Sequence, residues 1–393
     1  MRTPEPAGHV PWLELFYDLA FVGVVTVLAD DVNPLSSTKS EGWTFIAAAS
    51  LFFVWLATTL SFNKYPPRDD PTSLADSMWR AARRILVFVQ MVGVVIVVLA
   101  VNQGPTGVSD LYGLLALGTV VLTVAALFIV SPLIHGERSG QLAFASVLLV
   151  CGGLILIIAA WASTRLQLAA YSVALVLLIV AVIVFIHEST REIRFDHLQE
   201  RFGLIVIIVL GESILTLALG FAATDGITDI PLFALAMFFP MAVFEMYFKL
   251  PAIVANKPPP IYLWIFVQFL LVFSIGAAGH SLSGRAVDPS VLNEYGATEH
   301  STLRPTLVLI ALCVLSLIAR RITQRVAIVY AVTALIIVGI AWWGVAADLK
   351  HSTLLAIQVV VFIIAAAVGS AIAGVARRAH ARDEELALSQ QIG

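Results

Sequence analysis

The chain has 393 residues, of which 60% are hydrophobic and 12% charged, with a mean hydropathy of +0.94 and a formal net charge of −3. A soluble domain carries about 25% charged residues. So little charge with so much apolar surface excludes a water-soluble fold and points to lipid as the solvent. The net charge identifies no partner; the expected partners are the lipid bilayer and a small-molecule or ion substrate, with no nucleic acid.

Taken in chain order, twelve apolar runs are long enough to read as membrane helices: 12–28, 43–62, 85–101, 111–133, 142–161, 168–186, 202–222, 231–248, 262–282, 307–318, 326–345 and 354–375. Each approaches the roughly 20 apolar residues that cross a bilayer core, the tenth being the shortest. The first run carries Glu14 and Asp18 and is followed by no small-residue cleavage site, so it reads as a membrane helix rather than a secretory signal. Breakers separate the runs, among them Tyr65-Pro66-Pro67, Ser131-Pro132 and Pro258-Pro259-Pro260, while Pro240 falls inside the eighth. The expected fold class is all-α: a polytopic transmembrane bundle of about twelve helices forming one integral-membrane domain over 1–393, with 376–393 as a short cytoplasmic tail.

Placing the N-terminus inside and alternating sides puts eighteen of the 23 Lys and Arg residues in inner segments. Positive charge favours the cytoplasmic side. That asymmetry supports the helix count and sets both termini in the cytoplasm of a bacterial inner membrane or plasma membrane. The two cysteines, Cys151 and Cys313, lie in apolar runs and signal neither a disulfide nor thiol chemistry. The histidines show no metal-ligand spacing, and no cofactor motif is present. Most Phe, Trp and Tyr residues read as lipid-facing or interfacial.

Ionisable groups inside the apolar runs are the sharpest functional signal, since a carboxylate at the bilayer centre costs about 2.5–3.5 kcal/mol even on lenient scales. Glu14 and Asp18 are four residues apart and share one helix face, with Asp18 about 6 Å deeper. The bland alternative is a charged anchor at the helix end. Glu212 lies about 16 Å beyond Arg201 along the seventh helix, which sets it near mid-depth between Gly211 and Ser213. A hydrogen-bonded protonated acid is its structural alternative. Glu245 is four residues before Lys249, so a local ion pair competes with a site role. Arg83 and Arg84 open the third helix and are natural partners for Asp18 or plain positive-inside residues, and Asn63 ends the second helix nearby. The candidate substrate- or proton-binding residues are therefore Glu14, Asp18, Asn63, Arg83, Arg201, Glu212 and Glu245. If their helices converge, they line a cytoplasm-facing vestibule with Glu212 at its floor.

The stretch Glu14-Leu15-Phe16-Tyr17-Asp18-Leu19-Ala20-Phe21-Val22 resembles the opening signature of the bacterial low temperature requirement A (LtrA) family. Glu200-Arg201-Phe202-Gly203 through Ile207-Ile208-Val209-Leu210-Gly211-Glu212-Ser213 resembles its second signature. The resemblance covers essentially the whole chain and implies a membrane helix bundle, without a settled activity. Two positions depart from the family pattern: Lys249 stands where the family often has an Asp, and Gln268 where it has a His. The first helix also faintly resembles the Phe-Ser-Asp helix of a potassium-channel family.

Glu200-Arg201-Phe202 opens the seventh helix much as Glu14-Leu15-Phe16 opens the first, which would divide the chain into two parallel six-helix repeats, 1–198 and 199–393. Three functions compete. The leading one is a secondary transporter of a small solute, with or without proton coupling, using Asp18 and Glu212 as carboxylates and Arg201 or Arg83 for an anionic group. The others are an integral-membrane enzyme acting on a lipid-like or isoprenoid substrate, and an ion channel. The oligomeric state is not readable.

Overall fold

A computed structural model describes residues 12–30, 38–66, 74–102, 108–222, 230–250, 258–287, 295–318, 324–347 and 351–392. Twelve α-helices make up these residues, and no strand occurs among them. They are α1 (Trp12–Asp30), α2 (Thr38–Lys64), α3 (Leu74–Asn102), α4 (Val108–Ile134), α5 (Gly140–Ala159), α6 (Thr164–Ser189), α7 (Phe195–Ala222), α8 (Ile230–Phe248), α9 (Pro258–Val287), α10 (Tyr295–Ile318), α11 (Gln324–Ala346) and α12 (His351–Ile392). Among the described residues nine helices are long and apolar enough to cross a membrane, and Phe233–Phe248 and Pro305–Ile318 are shorter apolar segments.

Every expected run is a helix, but several helices extend well past their apolar part. α3 begins eleven residues before the apolar run and α10 twelve before it, while α12 continues to Ile392 through the segment expected as a tail. The added stretches are polar yet rich in helix formers: Ala376-Arg377-Arg378-Ala379 and Glu384-Glu385-Leu386-Ala387 contain no Gly or Pro. Hydropathy marks the part of a helix that lipid solvates. It is blind to the part that water solvates.

The helices form two compact units. Residues 12–30 and 38–205 make up the first, and the described residues from 206 onward the second. In the first unit α4 packs between α3 and α5, α6 joins α5 to α2, and α1 lies against α2 and α3. Here α4 and α5 cross closely at paired glycines: a Cβ on Gly118 would stand 2.9 Å from the Gly153 carbonyl oxygen. In the second unit α10 packs between α9 and α11, and α12 contacts α8, α9 and α11. Without a hydrophobic force between helices in lipid, such close backbone approach is what holds membrane helices together.

Many aromatic side chains expected at the lipid surface are instead core. Trp55, Phe21, Phe52 and Phe202 are fully buried and pack on one another in the first unit, Trp55 edge-on to Phe202 with centroids 5.1 Å apart, and Tyr17 is buried as well. A helix surrounded by helices is apolar on every face, so hydropathy alone cannot separate a core aromatic from a lipid-facing one.

Candidate functional site

The best-formed polar site lies in the first unit, at the N-terminal ends of α1 and α7. Glu14 and Asp18 stack one turn apart on the buried face of α1, while Phe16 and Leu19 point outward. Arg201, on the second turn of α7, has no exposed surface and sits between the two acids. Its Nε donates to Asp18 Oδ2 at 3.1 Å, its Nη2 donates to Asp18 Oδ1, and its Nη1 donates to Glu14 Oε2 at 3.3 Å. This two-point grip on Asp18 uses the fork geometry that suits guanidinium to carboxylate.

Two further residues complete the cluster. Trp55 Nε1 on α2 donates to Asp18 Oδ1 at 2.7 Å, and its ring lies under the Arg201 guanidinium at 5.6 Å. His197, four residues before Arg201 on the same face of α7, brings Nε2 to 3.6 Å from Glu14 Oε2. Arg83 of α3 also acts on Glu14 electrostatically, so the two carboxylates lie within the field of two guanidinium groups.

Beside the cluster, on α1, α2 and α3, lies a second group of polar side chains. Tyr17 is buried within reach of Thr58 and Arg201. Thr58, about one turn beyond Trp55, donates to Gln90 Oε1 on α3 at 3.1 Å. The Tyr17 hydroxyl and the Gln90 Nε2 have no hydrogen-bond partner among the described residues. Buried polar atoms are nearly always paired, so these two mark room for water or a ligand group.

The remaining candidates do other things. Arg83 donates from Nη1 to the Tyr65 carbonyl at 2.8 Å and lies over the Phe62 ring at 4.3 Å. The direct ion partner of Asp18 is Arg201. Asn63 both accepts from the Arg194 amide at 2.7 Å and donates to its carbonyl at 2.9 Å, pinning the α6–α7 connection to α2. Glu245 pairs with Lys249 one turn on in α8. Glu212, in α7 within the second unit, is half-buried and has no ion-pair partner among the described residues. Beside it Ser213 donates to the Val209 carbonyl and lies against Gly279 of α9. At the departure from the family pattern, Gln268 Nε2 donates to the Tyr247 hydroxyl at 3.1 Å, both side chains being buried.

A second charged node was not expected from the sequence. Lys64, at the C-terminal end of α2, has only 2% of its side chain exposed and bonds Glu137 at 2.7 Å and Glu192 at 2.9 Å, one from each of the α4–α5 and α6–α7 connections. The Tyr65 hydroxyl donates to the other oxygen of Glu137 at 2.6 Å. Burial works against the Glu137 carboxylate, but the hydrogen bonds from Lys64 and Tyr65 prevail and hold its pKa below the usual range. Burial and the nearby carboxylates push the Tyr65 phenol up.

Twelve helices among the described residues, nine of them long and apolar enough to cross a membrane, with ion pairs buried between them, define a multi-pass membrane protein. The sequence model of the bacterial low temperature requirement A (LtrA) family matches residues 9–367, and the chain belongs to that family. No curated protein and no solved structure matches the chain.

Proposed function

We propose that this protein is a secondary transporter of a small solute, coupled to protons through the Glu14–Asp18–Arg201 cluster, in the bacterial inner membrane with both termini cytoplasmic. The observation that carries the reading is Arg201, wholly buried among two carboxylates and Trp55. Burying three charges is expensive, and an apolar replacement of similar volume often serves stability as well or better. A buried cluster of two carboxylates with an adjoining imidazole, kept at that cost, suits reversible proton binding. The unpartnered Tyr17 hydroxyl on α1 and Gln90 amide on α3 are suitable donors for a solute. Glu212, in the second unit, is a second candidate carrier.

The test is electrical. Purified protein in liposomes on a solid-supported membrane is given pools of amino acids, carboxylic acids and sugars under an inward proton gradient. We expect a solute-dependent current that scales with the gradient and is lost in Asp18→Asn. An unchanged current in Glu212→Gln removes Glu212 from the mechanism. A current indifferent to the gradient, or none from folded protein with any pool, refutes the proposal.

A further inference from the structure

The Glu14–Asp18–Arg201 cluster is nearly sealed from water. The side chains of Asp18 and Arg201 have no exposed surface, and that of Glu14 keeps 6%. A proton that binds there must be handed in by a group that water reaches. Glu200, on the second turn of α7, is such a group, with 58% of its side chain exposed. Between Glu200 and Glu14 lies the ring of His197, 11% exposed. Exposure thus falls in order along Glu200, His197, Glu14 and Asp18.

The helix sets this order. His197 lies three residues before Glu200 and four before Arg201, so the three share a face of α7. That face meets Glu14 on α1, because Arg201 donates to it. The two ring nitrogens then look toward different acids. Nε2 is 3.6 Å from Glu14 Oε2, and Nδ1 is 3.8 Å from Glu200 Oε2. Both separations slightly exceed a hydrogen bond, and a small tilt of the ring closes either one. Nδ1 is buried and has no hydrogen-bond partner among the described residues, although such atoms are nearly always paired.

The orphaned nitrogen points to the chemistry. A neutral imidazole has one N–H and one lone pair. An ionised Glu14 only accepts, so it draws the N–H to Nε2 and leaves the lone pair on Nδ1. That lone pair faces the Glu200 carboxylate: two acceptors with a place for one proton between them. A proton taken from water by Glu200 passes to Nδ1 and makes the ring an imidazolium. The imidazolium releases its Nε2 proton to Glu14 Oε2. Release runs the same steps in reverse and restores the starting ring. Arg201 and Arg83 of α3 are the cations that share this field, both acting on Glu14.

We propose that His197 is the proton-transfer residue between water and the cluster, taking protons from Glu200 at Nδ1 and passing them to Glu14 from Nε2, on the side of the membrane where α1 and α7 begin. The proposal rests on the proton coupling put forward above and adds the route by which the proton arrives.

The experiment is a proton jump on the reconstituted full chain with no solute present. A laser flash on o-nitrobenzaldehyde releases protons, and time-resolved infrared follows the rise of the protonated-carboxyl band. His197→Ala should reach the wild-type amplitude about a hundredfold more slowly, the low end of what a positioned acid–base group supplies. Imidazole added to the buffer should fill the vacated space and restore most of the rate, which a purely structural role of the ring would not allow. Glu200→Gln, at an exposed position, should slow the rise about tenfold, the low end of steering by a fixed charge. Circular dichroism reports whether each variant is folded. A wild-type rate in folded His197→Ala overturns the proposal. So does a slow rate that imidazole leaves unchanged, or a band that is lost rather than delayed. An unchanged rate in Glu200→Gln overturns the Glu200 step. A wild type with no carboxyl band refutes the proton coupling itself, so failure of the route and failure of the coupling give different results.

Discussion

Replacing Arg201 with Met should be among the most damaging single substitutions in the first unit, and adding two further substitutions should cost less than their separate effects sum to. Arg201 has no exposed surface and donates to both Glu14 and Asp18. Removing it leaves two carboxylates within one helical turn of each other, with Trp55, His197 and the field of Arg83 to offset them. Breaking a buried pair in this way costs about 3–5 kcal/mol, because the survivor is a buried uncompensated charge. Asp18→Asn should cost less, about 1–3 kcal/mol, because Arg201 keeps Glu14. That cost arises at Oδ2, where the new amide would confront the Arg201 Nε donor at 3.1 Å if Oδ1 keeps its bond from Trp55. In the combination Arg201→Met, Asp18→Asn, Glu14→Gln neither carboxylate remains to be stranded, though Arg83 loses Glu14 as an electrostatic partner, and the cost should fall short of the summed single costs by about 2 kcal/mol. Unfolding in mixed micelles of increasing denaturing-detergent fraction, followed by tryptophan fluorescence, measures each term. Contacting residues couple by about 0.5–3 kcal/mol whereas independent sites add within about 0.5. Additive costs would refute the reading of these residues as one electrostatic unit.

Trp55→Phe keeps the aromatic packing against Phe202 but deletes the 2.7 Å donor to Asp18. It should cost about 1.5–3 kcal/mol, and much less in an Asp18→Asn background, by the same detergent titration. Lys64→Met should free the α4–α5 and α6–α7 connections together, read as faster tryptic cleavage at Arg138 and Arg191. The same clamp should loosen with pH at both extremes. Because the Glu137 pKa is depressed on folding, its stabilisation is present above the ordinary carboxylate value of about 4.3 and is lost as pH falls through the lower folded value. Because the Tyr65 pKa is raised, its contribution is present below about pH 10 and declines above it, and hydrogen exchange of the two connections across this range would report both limbs. Gly118→Val should cost about 1–3 kcal/mol by overpacking, since even a Cβ there stands 2.7 Å from the Ile157 side chain. Wild-type detergent resistance in that variant would contradict the close α4–α5 crossing.

The helices themselves were legible because a membrane span must be apolar along its length, and hydropathy measures that directly. Their polar ends were not, as α3, α10 and α12 illustrate. Glu14 and Asp18 could be placed on one face by their spacing, and Arg201 could be nominated because an arginine near an apolar run requires a partner. Which basic residue partners Asp18 was beyond the sequence: Arg83 and Arg201 are equivalent in hydropathy, and only the packing of α1 against its neighbours distinguishes them. Trp55 gave no signal, because a Trp in an apolar run reads the same whether it meets lipid or an aspartate. His197 carried a signal that spacing offers, four residues before Arg201 and so on the same face. Lys64 read as one more inner positive charge, since its partners Glu137 and Glu192 come from connections 73 and 128 residues away in the chain.

Proton binding by the Glu14–Asp18–Arg201 cluster can be tested with no substrate in hand. Infrared difference spectra of the reconstituted protein between alkaline and acidic buffer report protonated carboxyl and imidazolium groups separately. We expect the wild type to show a protonation band that disappears when Glu14→Gln and His197→Gln are combined, while the folded variant otherwise matches the wild type. A wild-type difference spectrum indistinguishable from that of the double variant would mean that the cluster binds no exchangeable proton, and the proposed coupling would fail with it.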